Sequence, residues 1–259
     1  MLPTPKDFTA WLDLECFRTN PYQPPTTQLT VRHMNPALAN LPTETVILGQ
    51  REQLCVPVAK NNSQPPTPVL DFIRFVDLAC YKITGITVNQ IVLLSHLNPL
   101  LQTLPRTEVF MTTPQQLCVP VIKNGVVPSA EVMSLVSHLD LKCYAVTPNN
   151  PLNIGLSLRQ LNPVLVPMIP THGVQVGPAR QLCVPVQKAG DNIPTSSFSI
   201  LRWVDLEKFD IGTSTLPQIT LQIRHINPVL ANLPQEQVTL FGATQLGLPV
   251  AKNNNFPPG

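Results

Sequence analysis

The feature that most constrains this chain is an internal repeat that runs through its whole length. Three motifs return in the same order four times, at a spacing of about 64 residues. One of them is Gln-Leu-Cys-Val-Pro-Val, which begins at residues 53, 116 and 181 and returns as Gln-Leu-Gly-Leu-Pro-Val at 245. Such a period is typical of an architecture built from one repeated supersecondary unit. We therefore divide the chain into four repeats, 1–62, 63–125, 126–190 and 191–259.

The other two motifs place the same polar residues once in every repeat. The aspartates of an Asp-Leu motif that ends in an aromatic residue are Asp13, Asp77, Asp140 and Asp205. The asparagines of an Asn-Pro motif are Asn35, Asn98, Asn162 and Asn227. His33, His96 and His225 each stand two positions before an Asn-Pro, so we expect them to serve the repeated unit and not one active centre. For the aspartates we expect a turn or cap role.

Each repeat has the pattern of antiparallel β-structure. Residues 28–32 and 218–223 alternate apolar and polar side chains, which indicates strands with one buried face. The residues after each Asn-Pro fit either one helical turn or an irregular loop. The fourth strand of the unit contains Val-Pro-Val, and because proline has no N–H to donate, we expect this strand at an edge or a bulge. The prediction is a small module of about four to six strands.

The six cysteines occur as two per repeat in the first three repeats. The matching positions of the fourth repeat hold Lys208 and Gly247, so both members of the pair are lost together. Half a disulfide has no use, and this joint loss selects one pairing within each repeat: Cys16–Cys55, Cys80–Cys118 and Cys143–Cys183. A metal site is the alternative, but no C-x-x-C is present. Disulfides form in oxidising compartments, so we expect an exported protein.

The segments that connect the repeats have a constant length. Twenty-five positions separate Cys55 from Cys80, Cys118 from Cys143 and Cys183 from Lys208. Flexible linkers tolerate changes of length at little cost, so a constant length indicates a fixed geometry between neighbouring units. The predicted fold is therefore all-β, with four tandem disulfide-linked antiparallel modules of about 64 residues each, arranged as a rod.

The two ends of the chain resemble the two halves of one connector. Residues 249–258 copy residues 57–66, where the first connector begins, and residues 2–13 copy residues 66–77, where that connector ends. We expect subunits to join head to tail, with one tail and the next head rebuilding a connector, which would give an open filament. The alternative is that both ends fold back on their own chain. The expected interface residues are Leu2, Pro3, Phe8, Trp11, Asn253, Asn254, Phe256, Pro257 and Pro258.

Composition excludes several classes of function. The net charge of +2 lacks the basic excess that nucleic-acid binding requires. No run of about 18 apolar residues predicts a membrane span, and residues 1–6 have no secretion signal, so we expect a mature form. No catalytic motif, cofactor motif or metal-ligand spacing is present, so we expect no enzyme, cofactor or metal. Asn61-Asn62-Ser63 matches a glycan acceptor, with modification at Asn61.

The Cys-Tyr and Leu-Cys-Val-Pro motifs together resemble an uncharacterised repeat of exported bacterial and archaeal proteins. The resemblance covers the four repeats, departs in the fourth where both cysteines are missing, and implies export and β-structure without any activity. Only 12% of the residues are charged, as expected of a subunit whose surface meets copies of itself. The expected function is a structural subunit of an extracellular filament or surface assembly.

A secreted adhesin or carbohydrate-binding repeat protein is the alternative function. It would require exposed aromatic platforms, and the chain has only two tryptophans and three tyrosines. Trp11, Phe75 and Trp203 share one repeat position near the end of the connector, which favours packing between modules over ligand stacking.

Overall fold

The computed structural model describes residues 1–259, which form thirteen antiparallel strands and four short helices. The strands are β1 (Leu14–Tyr22), β2 (Gln28–His33), β3 (Glu44–Ile47), β4 (Arg51–Lys60), β5 (Leu78–Lys82), β6 (Gln90–His96), β7 (Thr107–Lys123), β8 (Asp140–Thr147), β9 (Pro151–Gln160), β10 (His172–Lys188), β11 (Leu206–Thr213), β12 (Ile219–His225) and β13 (Glu236–Lys252). The helices are α1 (Pro5–Ala10), α2 (Thr67–Ile73), α3 (Ala130–Val136) and α4 (Thr195–Leu201). The prediction of a mainly antiparallel β-fold is confirmed.

Eight of the strands close into a barrel. In the order β1, β4, β5, β7, β8, β10, β11 and β13, each strand pairs antiparallel with the next. The circle is completed by β13 and β1, with Cys16 opposite Gln245. The rod expected from the sequence is therefore not what the structure shows, because the last repeat pairs directly with the first. Each repeat contributes its first and its last strand to the barrel.

The helices, which the sequence analysis did not predict, form a ring at one end of the barrel. Contacts join α1 to α2 and α4, and join α3 to the same two helices. Each helix has only six or seven residues, and α1 begins at a Thr4 cap followed by Pro5, a favoured start. Phe8, Phe72 and Leu135 point from three of the helices into the core inside the barrel.

The inside of the barrel is filled by side chains from alternate strand positions. Leucines and cysteines of the barrel strands share one apolar core with the helix residues, among them Leu14, Leu78, Leu141 and Leu206. On the outer face, residues such as Leu54 and Leu246 belong to two further cores. Those outer cores are covered by the hairpins from the middle of the repeats.

Each hairpin pairs with the repeat two positions away along the chain, at the carboxyl end of that repeat's last strand. The four pairings join β2 to β10, β6 to β13, β9 to β4 and β12 to β7. The four repeats are consecutive along the chain, but in space the strands of different repeats are interlaced. No repeat completes its own sheet.

The prolines of the Val-Pro-Val motif lie inside barrel strands, so the expected edge or bulge is wrong. Pro120 stands opposite Leu78 on one side. On the other side the last β7 residue paired with β8 is Cys118, and pairing with β12 begins at Val121. Proline is tolerated because it occupies the position where the strand changes partner and no ladder needs its missing N–H.

The Asn-Pro motif forms a capped turn in all four repeats. Pro36–Leu38 and Pro228–Leu230 are short 3-10 helices, capped by the side chains of Asn35 and Asn227. Asn98 and Asn162 accept equivalent hydrogen bonds from Leu100 N (3.0 Å) and Val164 N (2.9 Å). None of the helices has the length and apolar character needed to span a bilayer.

Candidate functional site

Three disulfides line an arc inside the barrel. They join Cys16 to Cys55, Cys80 to Cys118 and Cys143 to Cys183, and no cysteine is free. Neighbouring bridges are close, with 3.6 Å between the sulfurs of Cys55 and Cys80 and 3.9 Å between those of Cys118 and Cys143. Three disulfides in a chain of this size indicate a protein that matures in an oxidising compartment, outside the cytoplasm.

A buried lysine completes the arc where the fourth bridge is missing. Lys208 stands opposite Gly247. Its Nζ donates hydrogen bonds to Gln53 Oε1 (2.7 Å) and Gln116 Oε1 (3.0 Å), which come from two other repeats. Burial lowers the pKa of Lys208 to about 7, although the charge of Glu52 acts in the opposite direction. The side chain that replaces the bridge therefore holds three repeats together through polar contacts.

The recurring aspartates form buried ion pairs with a lysine at the end of the last strand of the same repeat. The four pairs are Asp13–Lys60, Asp77–Lys123, Asp140–Lys188 and Asp205–Lys252. Burial raises the pKa of Asp13 to about 6 and the charge of Lys60 opposes this rise, so the carboxylate is ionised at neutral pH. The turn or cap role expected for the aspartates is wrong, and the recurring lysine was a signal that the sequence analysis missed.

The recurring asparagines join these ion pairs around the ring. Asn98 of repeat 2 donates to Asp13 of repeat 1 (3.0 Å), and Asn162 of repeat 3 donates to Asp77 of repeat 2 (2.8 Å). Asn35 of repeat 1 closes the circle by donating to Asp205 of repeat 4 (2.8 Å). Asn227 of repeat 4 donates to Asp191 of its own repeat (2.8 Å) and, at 3.5 Å, to Asp140 of repeat 3.

The recurring histidines lie on the outer face of the barrel, where His96 and His225 are buried and His33 is half-buried. His33 bonds the Tyr144 hydroxyl at 2.8 Å and His225 bonds the Tyr81 hydroxyl at 2.9 Å. Burial, helped by nearby lysines, lowers the pKa of His33 to about 4, and burial lowers that of His225 to the same value. Both rings are therefore neutral hydrogen-bonding groups that hold a hairpin on the barrel.

Each of the four hairpins covers an equivalent buried site where it packs on the barrel. Three of these four sites contain two side chains of opposite charge. Lys142 pairs with Glu44 and Arg51 pairs with Glu236. In the third, His172 Nε2 lies 2.7 Å from Glu15 Oε1, and His172 Nδ1 lies 2.9 Å from the carbonyl oxygen of Pro170. Because both of these ring nitrogens face acceptors, His172 is an imidazolium. Its pKa is raised, since the bond and charge of Glu15 outweigh burial.

The fourth place contains an acid without a partner. Glu207 on β11 is 2% exposed, makes no hydrogen bond, and its Oε2 is buried without a donor. Burial raises the pKa of Glu207 to about 8. The residue lines a cavity of about 260 Å³ together with His96 and Thr107. Sequence reasoning treated His96 as one of three equivalent structural histidines and had no signal for the cavity.

The residues expected to form a head-to-tail interface come together within one chain. Pro258 O accepts a hydrogen bond from Lys6 N (3.0 Å), the counterpart of the bond from Leu70 N to Pro66 O in the first connector. Asn253 exchanges two hydrogen bonds with the backbone of Leu93.

Phe8 lies in the core inside the barrel, and Leu2 and Trp11 pack against that core. Pro3 is half-buried, Pro257 is buried, and Asn254 and Phe256 are exposed. The two ends of one molecule thus form this connector, which is the alternative in which the ends fold back on their own chain.

The Asn61 side chain has a structural contact. Asn61 Oδ1 accepts from Ser157 N at 2.9 Å, and Asn124 and Asn253 make the same contact in two other repeats. The residue is exposed. Its recurrence therefore follows from the packing of the hairpins, and glycosylation of Asn61 stays a prediction.

Comparison with protein-family models, with curated proteins and with solved structures finds no match for this chain. The resemblance to a repeat of exported proteins stays an expectation.

Proposed function

We propose that the protein is a structural subunit of an extracellular filament or surface assembly made of copies of itself. The observation that carries the proposal is the distribution of charge. Of the 32 charged residues, sixteen are buried, so the remaining sixteen are spread over a surface of 10059 Å². Soluble domains usually keep a quarter or more of their surface residues charged to prevent association. A surface this poor in charge favours contact with other copies.

The joint between the two ends offers a route for head-to-tail assembly. It is the only connector that is not covalently continuous, and it adjoins the only repeat without a disulfide. If residues 1–12 leave their own tail and pack against the tail of another copy, the same contacts form between molecules. Exchange of an identical element is a low-cost route to association.

The alternative of an adhesin or carbohydrate-binding protein has less support. Its aromatic platforms would be exposed tryptophans or tyrosines, whereas Trp11 packs against the core and Tyr81 and Tyr144 are fully buried. The exposed aromatic residues are Phe110, Phe241 and Phe256, which lie on different elements.

A variant with a locked joint tests both the function and the route. Cysteines at positions 6 and 258, whose backbones are hydrogen-bonded, should cross-link the two ends within one molecule. The matched control carries serine at both positions. Negative-stain electron microscopy over a concentration series should show filaments for the control and none for the locked variant. Filaments from both would place the contact on the outer faces, and a wild type that stays monomeric at every concentration would disprove the assembly.

A further inference from the structure

The cavity beside Glu207 has the features of a small-molecule site. It lies between the hairpin of repeat 2 and the barrel strand of repeat 4, and its volume is about 260 Å³. Its rim includes Pro105, Asn150 and Pro151, which are exposed, so the cavity communicates with solvent. Its walls include buried apolar side chains such as Val109 and Phe209. For scale, a cavity of about 150 Å³ is large enough to hold benzene.

The carboxyl group of Glu207 is the unusual feature of this cavity. Buried carboxyl groups in proteins are hydrogen-bonded, because burial without a partner costs free energy. Glu207 is 2% exposed and its Oε2 has no donor in the protein. The other titratable group in the cavity wall is His96, whose Nδ1 is also buried without a partner.

Repeat 1 shows what this carboxyl position binds when it is satisfied. Glu15, the counterpart of Glu207, accepts from Gln160 Nε2 at 2.7 Å on one oxygen and from the His172 imidazolium at 2.7 Å on the other. In the Glu207 site, His96 stands in the position of Gln160, and Thr107 stands in the position of His172. The shorter threonine removes the cation and leaves the space that its ring would fill.

We propose that the Glu207 cavity binds a small organic cation with an N–H head, an imidazolium or a primary ammonium on a short apolar body. The head takes the place that the His172 ring occupies in repeat 1 and donates to the Glu207 carboxylate. The apolar body lies against Val109 and Phe209.

The composition of the site selects this class of ligand. A metal ion would need several ligands, and no group of three or more His, Cys, Asp or Glu side chains in the structure could hold one. An anion would face the Glu207 carboxyl without a lysine or arginine in the cavity wall. A single N–H cation needs one carboxylate and an apolar surround, and both are present.

The protonation of Glu207 gives the binding a pH dependence. The pKa of Glu207 is raised to about 8 by burial, and that of His96, the other titratable group in the wall, is lowered to about 4 by burial and the charge of Lys60. His96 is therefore neutral between pH 6 and pH 9, and Glu207 loses its proton across that range. Affinity for an alkylammonium ion should rise from pH 6 to pH 9, with release of a proton on binding at the lower pH.

Calorimetric titration of the monomeric protein with n-butylammonium and with imidazole tests the proposal. We expect millimolar or tighter binding of n-butylammonium at pH 8, and at least tenfold weaker binding of uncharged n-butanol. Glu207→Gln should weaken n-butylammonium binding at least tenfold. Thr107→His, which copies repeat 1, should abolish binding and raise the melting temperature.

Two controls separate the site from general effects. Glu15→Gln changes the filled site of repeat 1 and should leave n-butylammonium binding unchanged. The melting temperature of each variant shows whether it is folded. No binding of either probe to the wild type, or equal binding to wild type and Glu207→Gln, would overturn the proposal, whatever the outcome for assembly.

Discussion

At the scale of single residues, half of the charged side chains of this protein are buried in its interior. The repeating Asp–Lys pairs, the Lys208 contact and the pairs under the hairpins each join strands that are distant in sequence. The cysteine pairs could be inferred from sequence because two residues disappear together. The role of Lys60 and its counterparts could have been found from their period, but their burial could not, because lysine is normally a surface residue.

The unpaired Glu207 should make stability depend on pH. Its ordinary pKa of 4.5 is raised to about 8 in the fold, so between these values the folded state holds a proton that the unfolded state has lost. The free energy of unfolding contributed by this group therefore falls as pH rises through that window. The free energy of unfolding of Glu207→Gln, taken relative to that of wild type, should increase by on the order of 3 kcal/mol from pH 5 to pH 9.

Guanidinium unfolding at pH 5, 7 and 9 measures this difference, and the absence of a free cysteine protects the bridges at the highest pH. A difference between the two proteins that does not change with pH would show that Glu207 is ionised in the fold.

Removing the lysine of one repeated ion pair should be costly. Lys123→Met leaves the carboxylate of Asp77 buried without its cation, for which we expect a loss of about 3–5 kcal/mol in the free energy of unfolding. Lys82→Met, at an exposed position of β5, is the matched control and should change stability by less than about 0.5 kcal/mol. Equal effects of the two substitutions would mean that the pair adds nothing. Chemical denaturation gives both values.

At the scale of elements, the strands follow from the alternation of side chains, whereas the helices escaped prediction. Six or seven residues among prolines give too short a period to recognise, although Pro5 behind a Thr4 cap is a start signal. The prolines of the last strands were also misplaced. A strand that changes partner midway leaves one residue outside both ladders, and sequence does not show where the exchange occurs.

Restoring the fourth bridge should stabilise the barrel. Lys208 and Gly247 stand directly opposite each other, as the three bridged pairs do, and a Cβ at Gly247 would meet Leu206 at an ordinary 3.5 Å. Closing this loop with Lys208→Cys and Gly247→Cys should add about 4 kcal/mol on the chain-entropy argument. The loss of the Lys208 hydrogen bonds to two glutamines offsets part of that gain, about 1–2 kcal/mol.

The control for the fourth bridge is the same pair of positions changed to serine, which removes Lys208 without adding a cross-link. Thermal unfolding should place the oxidised cysteine variant above both wild type and the serine variant. A cysteine variant that melts no higher than the serine variant would show that the geometry of this repeat differs from that of the other three.

At the scale of the whole molecule, the constant connector length correctly indicated a fixed geometry but did not reveal its direction. A repeat that turns by a regular angle gives an open array or a closed ring, and four similar sequences contain no information on which copy pairs with which. The rebuilt connector between Lys6 and Pro258 shows the closure. The same similarity concealed the pairing between alternate repeats.

Small-angle X-ray scattering separates the ring from the rod. A compact chain of 259 residues should have a radius of gyration of about 18 Å. The measurement belongs at the lowest usable concentration, so that association does not enlarge the value. A radius of gyration one and a half times this value would contradict the closed barrel.

The interlaced hairpins determine whether a part of this chain can complete its own strand pairing. Two consecutive repeats carry hairpins whose partners both lie in the other half of the molecule, so one half alone has nothing to pair with. Two such halves would complete each other about a two-fold axis, and four single repeats would do so about a four-fold axis. The protein therefore resembles a symmetric tetramer whose four subunits are joined in one polypeptide. Covalent linkage frees each quarter to differ, which is how one quarter can lack its bridge and one place under a hairpin can hold an open cavity.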